Sequence, residues 1–534
     1  MRKRYNLIIA ALSLMLSTVS AQTGTGNFPF FRSFLDGRMD NVEKPKPNNP
    51  TARRDVDRSN KAKLVNELGL QLTSKKSEVG AFYLPNHPFS TSDGLKIEFE
   101  YMMYPSPGST VGLTDGITMF LIDAKKKNEL EFGAEGAGFG YTHRWTIKDF
   151  RSERIKGVPG GYLAIALDQK HFKVLRMEGD ELRNGIPYYN RNITSNAKDP
   201  IYNTASNITI RGAAGYYTRT EYSGTLSYVL DDREWGYPVL ATRNTNTSSM
   251  VNNAAFVLDT KSGNYNPRSS SNNNLLFPAI PKAFDIAGNS KFNSPDETAY
   301  RKAVILLEAN SNSSVGGFKI SVAIQHGNNL TTVIENFTFP ATITYLENGL
   351  PSSVDNYMRP TVPLNPPVIT YTVNTPEQLV IGFTASTGTD LSYTNVIKNL
   401  RITPLYGANT AHDDIKSHRR GPVVIRPLDN DLGYYNEGNS TPIGDKEFLD
   451  PSSFRFWKNE YECLGSNVFE HTVPGEGRWI YNEGTKELMF FPEKGYKGKA
   501  TVIYDIKGLH YPYNQEKFRS SQATVSVTID DNQP

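Results

Sequence analysis

Leu95-Lys96-Ile97-Glu98-Phe99-Glu100-Tyr101 alternates apolar and charged residues without a break, and Phe318-Lys319-Ile320-Ser321-Val322-Ala323-Ile324-Gln325 follows the same rhythm. Successive side chains of a strand point to opposite faces, so a period of two sets one face against a core and the other toward solvent. Near the C-terminus Val525, Val527 and Ile529 alternate with Ser526 and Thr528 in the same way. Clusters of Gly, Pro, Asn, Asp and Ser separate such runs, and no amphipathic segment of helical period persists beyond three turns. The pattern predicts an all-β protein built as an antiparallel sandwich, not a parallel α/β sheet.

Outward from these strands, two stretches interrupt the rhythm. Arg243 to Asn274 is dominated by Asn, Ser and Thr and is expected to form loops, with Ala254-Ala255-Phe256-Val257-Leu258 as a strand inside it. Pro351 to Pro367 carries Pro360, Pro363, Pro366 and Pro367, which lack the backbone donor that a central strand needs. Taken alone it reads as an interdomain linker; a crossing within one domain is expected instead from the resemblance of the following run, Leu379-Val380-Ile381-Gly382-Phe383, to the closing strand of a known sandwich family. The domain boundary is placed at a linker, 405–417, before a new β pattern over 418–532.

Arg2, Lys3 and Arg4 precede an apolar run from Leu7 to Leu16 and the small-residue site Val19-Ser20-Ala21, the layout of a cleavable secretory signal over 1–21. That run falls well short of the ~20 residues of a membrane-spanning helix, and no later segment comes closer, so no transmembrane span is expected. Cys463 is the single cysteine, which rules out an intramolecular disulfide. A net charge of +3 spread over 534 residues forms no nucleic-acid-binding stripe. The cluster Arg53, Arg54, Arg58, Lys61 and Lys63, interrupted by Asp55 and Asp57, is expected to be a solvated loop.

Four ordered segments resemble the L-type (legume-lectin-like) lectin domain as it occurs in bacterial surface proteins. They are Gly80-Ala81-Phe82-Tyr83 with the strand at Leu95; Thr114-Asp115-Gly116-Ile117-Thr118-Met119-Phe120-Leu121 with the glycine-rich Gly136-Ala137-Gly138-Phe139-Gly140-Tyr141; Gly160-Gly161-Tyr162-Leu163-Ala164-Ile165-Ala166-Leu167-Asp168 with Asn207-Ile208-Thr209-Ile210-Arg211-Gly212; and Ile381-Gly382-Phe383-Thr384-Ala385-Ser386-Thr387-Gly388 with Val396-Ile397-Lys398-Asn399-Leu400. The resemblance spans 27–404 and implies a concanavalin-like jelly-roll sandwich that binds glycans or glycoproteins. Residues 418–532, with Val423-Val424-Ile425-Arg426-Pro427-Leu428-Asp429-Asn430-Asp431 and Phe490-Phe491-Pro492-Glu493-Lys494-Gly495-Tyr496, resemble one CshA-type or immunoglobulin-like adhesin module. This implies a smaller β-sandwich acting as a spacer, on a secreted or cell-surface protein with possible surface-assembly partners.

A sugar site needs a carboxylate that accepts hydroxyl hydrogens, backbone donors unobstructed by a Cβ, and often an aromatic platform. Asp115 can supply the carboxylate and Gly136 or Gly138 the donor, while Asp390 and Tyr393 lie in what resembles the family's specificity loop, Tyr393 as a stacking ring. The resemblance also implies a cis peptide between Thr114 and Asp115. Calcium, the family's cofactor, would be held at Asp168 with Asp180 or Glu178, but Ala166 and Phe172 stand where the family's glutamate and asparagine ligands would be. Two rival readings remain: a structural surface protein that has lost sugar binding, and a β-glucanase-like hydrolase using Glu98 and Glu100 or Glu129 and Glu131, since retaining glycosidases need two carboxyls about 5–5.5 Å apart. Glu98 and Glu100 oppose an apolar face as solvated strand residues do, the eight histidines form no HExxH, no Gly-x-Ser-x-Gly is present, and Cys463 lacks a base, so a non-enzymatic binder is expected.

Overall fold

The computed structural model describes residues 29–40, 42–47, 58–112, 114–129, 131–148, 151–169, 181–182, 205–223, 226–246, 255–258, 265–268, 280, 282–310, 317–346, 353–354, 360–361, 368–388, 391–417, 421–438 and 441–530. The signal segment 1–21 and Asp180, Glu178, Phe172 and Asp390 lie outside them.

Among the described residues the regular structure is strands and single turns of 3-10 helix, and no helix is long and apolar enough to cross a membrane. One sheet runs, edge to edge, Asn329–Thr338, Phe318–His326, Arg301–Ala309, Leu95–Pro105, Tyr393–Thr403, Gly69–Thr73 and Lys63–Val65, with Phe30–Arg32 also pairing to Tyr393–Thr403. The second runs Tyr265–Arg268, Ala255–Leu258, Val239–Asn244, Asn207–Arg211, Gly161–Asp168, Gly116–Asp123, Gln378–Ser386 and Val79–Tyr83. Neighbours within both sheets are antiparallel.

The alternation read from the sequence is realised: Leu95, Ile97, Phe99 and Tyr101 are buried with Phe318, Ile320, Val322 and Ile324, facing Ile117, Met119, Leu163, Ile165 and Phe383 of the second sheet in one core. Gln378–Ser386 pairs with both Gly116–Asp123 and Val79–Tyr83, so the chain beyond the proline-rich stretch does return to the earlier sheet. The chain passes from the first sheet to the second through 106–115 and back through 387–392. Ser106 N–H donates to Ser392 O (3.0 Å), so both crossings lie at one end of the sandwich.

A second apolar cluster, with Phe454, Phe456, Trp479, Phe490 and Val525, lies between a sheet ordered Asp413–Ser417, Ala523–Ile529, Gly498–Gly508, Leu449–Asn459, Glu462–Cys463 and another ordered Val423–Ile425, Glu487–Pro492, Gly477–Asn482, Glu470–Val473. The stretch 405–417, expected as a linker, is part of this module. Ala408 joins its core, and Asp413–Ser417 pairs in parallel with Ala523–Ile529, because the edge of that sheet offers unpaired backbone groups. Cys463 is half-buried, its Sγ accepting from Gly465 N–H at 3.4 Å.

The module packs on the outer, charged face of the first sheet, which corrects the solvated reading of Glu98 and Glu100. Burial pushes the Glu98 carboxyl up, but Lys96 and Lys302, at 2.9 and 2.7 Å, outweigh it and hold it at about 2. Glu100 pairs with Lys398 at 3.4 Å and accepts from Tyr300 Oη at 3.3 Å. Across the junction Glu460 Oε2 accepts from Ser33 N–H (2.8 Å), Lys517 pairs with Asp93 (3.1 Å), and the Arg38 guanidinium lies over the Tyr461 ring at 3.8 Å.

Inside the module the Asp431 carboxyl is fully buried. Its Oδ1 accepts from Ala411 N–H (2.8 Å) and its Oδ2 from Tyr504 Oη (2.7 Å). Burial outweighs these donors and raises the carboxyl from 3.8 to about 7. A raised acid favours the fold in its protonated form, so this contribution is full below pH ~4 and is lost as pH climbs through about 7. Asp431→Asn, neutral throughout, is therefore expected to gain melting temperature relative to the wild type between pH 5.5 and 8.5. An offset that is the same at both pH values contradicts the assignment.

Candidate functional site

On the second sheet, residues facing the core alternate with residues facing outward. Across its outward side the register aligns Ser386, Gly116, Asp168, Asn207 and Asn244 in one row and Thr384, Thr118, Ala166, Thr209 and Thr242 in the next. Further along, Phe120, Ala164 and Val380 form a small apolar core with Phe139, Tyr141 and Tyr237. The outer face is thus apolar where Phe139, Tyr141 and Val158 pack and polar at the end where the crossings meet.

Asp115 sits at that polar end. Its carbonyl accepts from Gln169 N–H (2.9 Å), which extends the pairing of Gly116 with Asp168, and its residue is 2 % exposed. Gly116 is required here: a Cβ would lie 2.1 Å from Leu167 O of the neighbouring strand. The expected cis peptide is absent. The cis bond among the described residues is Tyr511–Pro512, and Thr114–Asp115 is trans, the form that a non-proline bond takes unless its surroundings offset ~3–4 kcal/mol.

The glycine-rich segment folds down on this end. Gly133 N–H donates to Gly140 O (2.6 Å) and Ala134 N–H to Thr142 O (2.9 Å), closing a tight loop around the turn Gly136–Gly138. Gly136 adopts φ +62°, left-handed backbone open to glycine, and Phe139 takes φ +50° despite its side chain, with the ring buried against Gly116. Two tethers hold the loop to the sheet: Gly136 N–H donates to Ser386 Oγ (2.7 Å), and Thr384 Oγ1 donates to Phe139 O. Arg58 supplies a third through a buried ion pair with Glu135 (2.8 Å). The expectation of a solvated loop therefore fails at Arg58, because a buried Glu135 needs a cation beside it.

These contacts revise the roles read from the sequence. Gly136 spends its N–H on Ser386, so the donor expected for a ligand is committed inside the fold. Gly138 directs its N–H to Glu135 O at 3.4 Å, and a Cβ there would meet Ala134 Cβ at 2.9 Å, so its smallness serves packing. Tyr393 is no platform: its ring is 0 % exposed and its hydroxyl donates to Asn289 Oδ1 (2.8 Å), since it opens a central strand of the first sheet and is turned inward there. Burial raises that phenol.

Asp168 is buried on the outward side, and its Oδ2 accepts from Thr209 Oγ1 (3.0 Å), which pairs in turn with Thr242 Oγ1 (2.8 Å). Calcium binds six to eight hard oxygens. Here Ala166 presents a methyl beside Asp168, the carboxylate is engaged by a threonine, and among the described residues no group of three or more His, Cys, Asp or Glu could hold an ion. The described residues do not fit calcium.

What remains is a set of polar atoms with no partner. Thr114 Oγ1, Thr118 Oγ1 and Gln169 Oε1 are buried without a hydrogen bond, all within the Thr114–Thr118 segment and the Asp168–Gln169 strand end it pairs with. Sequence reasoning found Asp115 but missed Thr118, Thr209 and Gln169. For Thr118 the signal was available, a polar residue inside the otherwise apolar run Ile117–Ile122, whereas Thr209 shares its short strand with Asn207 and Arg211 and does not stand out.

No family model matches the sequence, and no curated protein sequence matches it. The structure is similar to lectin folds at low identity: the exoplasmic/lumenal domain of VIP36 in its Ca2+/Man3GlcNAc-bound form (12 % identity over 70 % of this chain and 90 % of that one, TM-score 0.28). It is likewise similar to lectin II from Ulex europaeus (12 %, 71 % and 98 %, TM-score 0.30) and the metal-free lectin I-B4 from Griffonia simplicifolia (11 %, 70 % and 98 %, TM-score 0.27).

Proposed function

We propose that this protein is a non-enzymatic carbohydrate-binding protein of the secreted or cell-surface kind, which recognises a glycan at the Asp115 end of the second sheet without calcium. The unspent polar atoms of Thr114, Thr118 and Gln169 beside the Asp115 carboxylate carry this reading. Buried polar groups nearly always have partners, and a cluster without them calls for water or ligand hydroxyls, which both donate and accept. The C-terminal module serves as the spacer that presents the sandwich, on a surface of the bacterial type that the sequence resemblance implies. Glu98 and Glu100 are bound up with lysines on the far face, which supports recognition over hydrolysis.

Because Asp115 is enclosed, binding must be accompanied by opening of the covering segment, and association below the ~10⁵ M⁻¹s⁻¹ typical of preformed sites is expected. The test is a glycan array probed with the mature chain and with Asp115→Ala. Loss of a charge-assisted hydrogen bond, about 1.5–3 kcal/mol, predicts roughly a 10- to 100-fold weaker affinity. Binding that survives the substitution unchanged, or no binding to any glycan, sinks the proposal. The second outcome favours the other reading, a surface scaffold that has lost sugar binding, which the committed Gly136 N–H and enclosed Tyr393 support.

A further inference from the structure

On the opposite side of the sandwich from Asp115, where the C-terminal module meets Phe30–Arg32, lies an open cleft of about 190 Å³. Phe31 lines it from the sandwich, and Trp457, Arg455, Glu516 and Gln522 from the module, over a floor formed by Asp505. The floor is fixed in place. Asp505 accepts from Arg455 Nε and Nη2 (both 2.8 Å), from Trp457 Nε1 (2.9 Å) and from Arg519 Nη1 (2.9 Å), so its oxygens are saturated and the indole and guanidinium above them cannot rotate freely.

Gln522 differs from that floor. It is 7 % exposed, its Nε2 donates to Glu460 O (3.3 Å), and its Oε1 has no partner. Gln522 lines the cleft with its Oε1 turned away from solvent, so a donor from outside reaches this unfilled acceptor when the amide rotates into the cleft. Arg455 and Arg519 stand against Asp505 and Glu516, with Lys507 on Glu516 (3.1 Å) and Arg401 over the Phe31 ring (5.1 Å), which disfavours a cationic ligand. Half-buried Phe31 and Trp457 rings on two walls favour a ligand with an apolar face.

We infer that this junction cleft is a second carbohydrate site, taking one neutral sugar ring. Its apolar face packs against Phe31 and Trp457, and its hydroxyls donate to Gln522 Oε1 and Glu516 and accept from Arg455. The site is independent of Asp115, because the two lie on outer faces of different sheets. It is also composite: neither the sandwich nor the module forms it alone.

The experiment is a glycan array and a parallel peptide array, each probed with the full chain and with Gln522→Ala, Trp457→Phe, Trp457→Ala and Asp115→Ala, with melting curves for every variant. Trp457→Phe and Gln522→Ala keep the test open should Trp457→Ala unfold the module. Expected is at least one neutral glycan whose binding falls tenfold or more with Gln522→Ala and Trp457→Phe, and no more than twofold with Asp115→Ala. The proposal is overturned if every bound glycan depends on Asp115 alone, if no glycan binds, or if the Trp457-dependent ligand proves to be a peptide.

Discussion

Asp505→Ala is expected to unfold the C-terminal module selectively, lowering its melting transition by roughly 15–30 °C while leaving that of the sandwich in place. Asp505 neutralises two guanidiniums and holds the Trp457 indole from one buried position. Removing it leaves Arg519, 3 % exposed, with only Ser453 O and the exposed Glu516 as partners and takes from Arg455 its closest carboxylate, and breaking a buried pair in this way costs about 3–5 kcal/mol. For a module of this size each kcal/mol moves the midpoint by about 4–8 °C. Glu516 cannot take over. Burial pushes its carboxyl up, but Arg519 and Lys507 outweigh it and hold it at about 2, so it is charged at neutral pH, and its side chain is largely exposed and screened. Calorimetry on the full chain would resolve two transitions, of which only one moves; a shift under 5 °C would mean that the arginines find other partners. Asp505→Asn, which keeps the shape and loses the charge, should fall between the two.

Gly116→Ala should be among the most damaging single methyls in the sandwich. Its Cβ would stand 2.1 Å from Leu167 O, and the carbonyl cannot yield without parting Gly116–Asp123 from Gly161–Asp168. Overpacking of this severity costs about 3 kcal/mol, the upper end of the usual range. The same displacement moves Asp115, Thr118 and Asp168, so glycan binding should fall with stability, whereas Asp115→Ala should weaken binding with little effect on melting. Gly388→Ala is the control, because a Cβ there meets nothing within 4 Å. Equal melting of the two alanine variants would show that the strands can separate at no cost.

Much of the fold was legible in the chain. Leu95–Tyr101 and Phe318–Gln325 alternate so cleanly because each strand has one buried and one outward face, and that constraint is local enough to read one residue at a time. Gln378–Ser386 returning to Gly116–Asp123 was also expected, through the resemblance of Ile381–Gly388 to the lectin family's final strand. Of the candidate site, Asp115 and the glycine loop were found, but their bonding was not. Gly136 gives its N–H to Ser386 and Arg58 its charge to Glu135, pairs separated by 250 and 77 residues, and no local pattern specifies which distant group satisfies a buried donor.

By itself, then, the sequence determined the clearly alternating strands and which of their side chains face the core, the single-cysteine chemistry and the small net charge, all properties set by period and composition. Only the tertiary structure decided that Tyr393 turns inward, that 405–417 belongs to the second module with Asp413–Ser417 as its edge strand, and that Glu98 lies under that module among lysines. It alone joined Phe31 to Trp457 across one cleft. Each of these depends on which surfaces are brought together, and burial and hydrogen-bond satisfaction are properties of pairs of segments that a single segment does not carry.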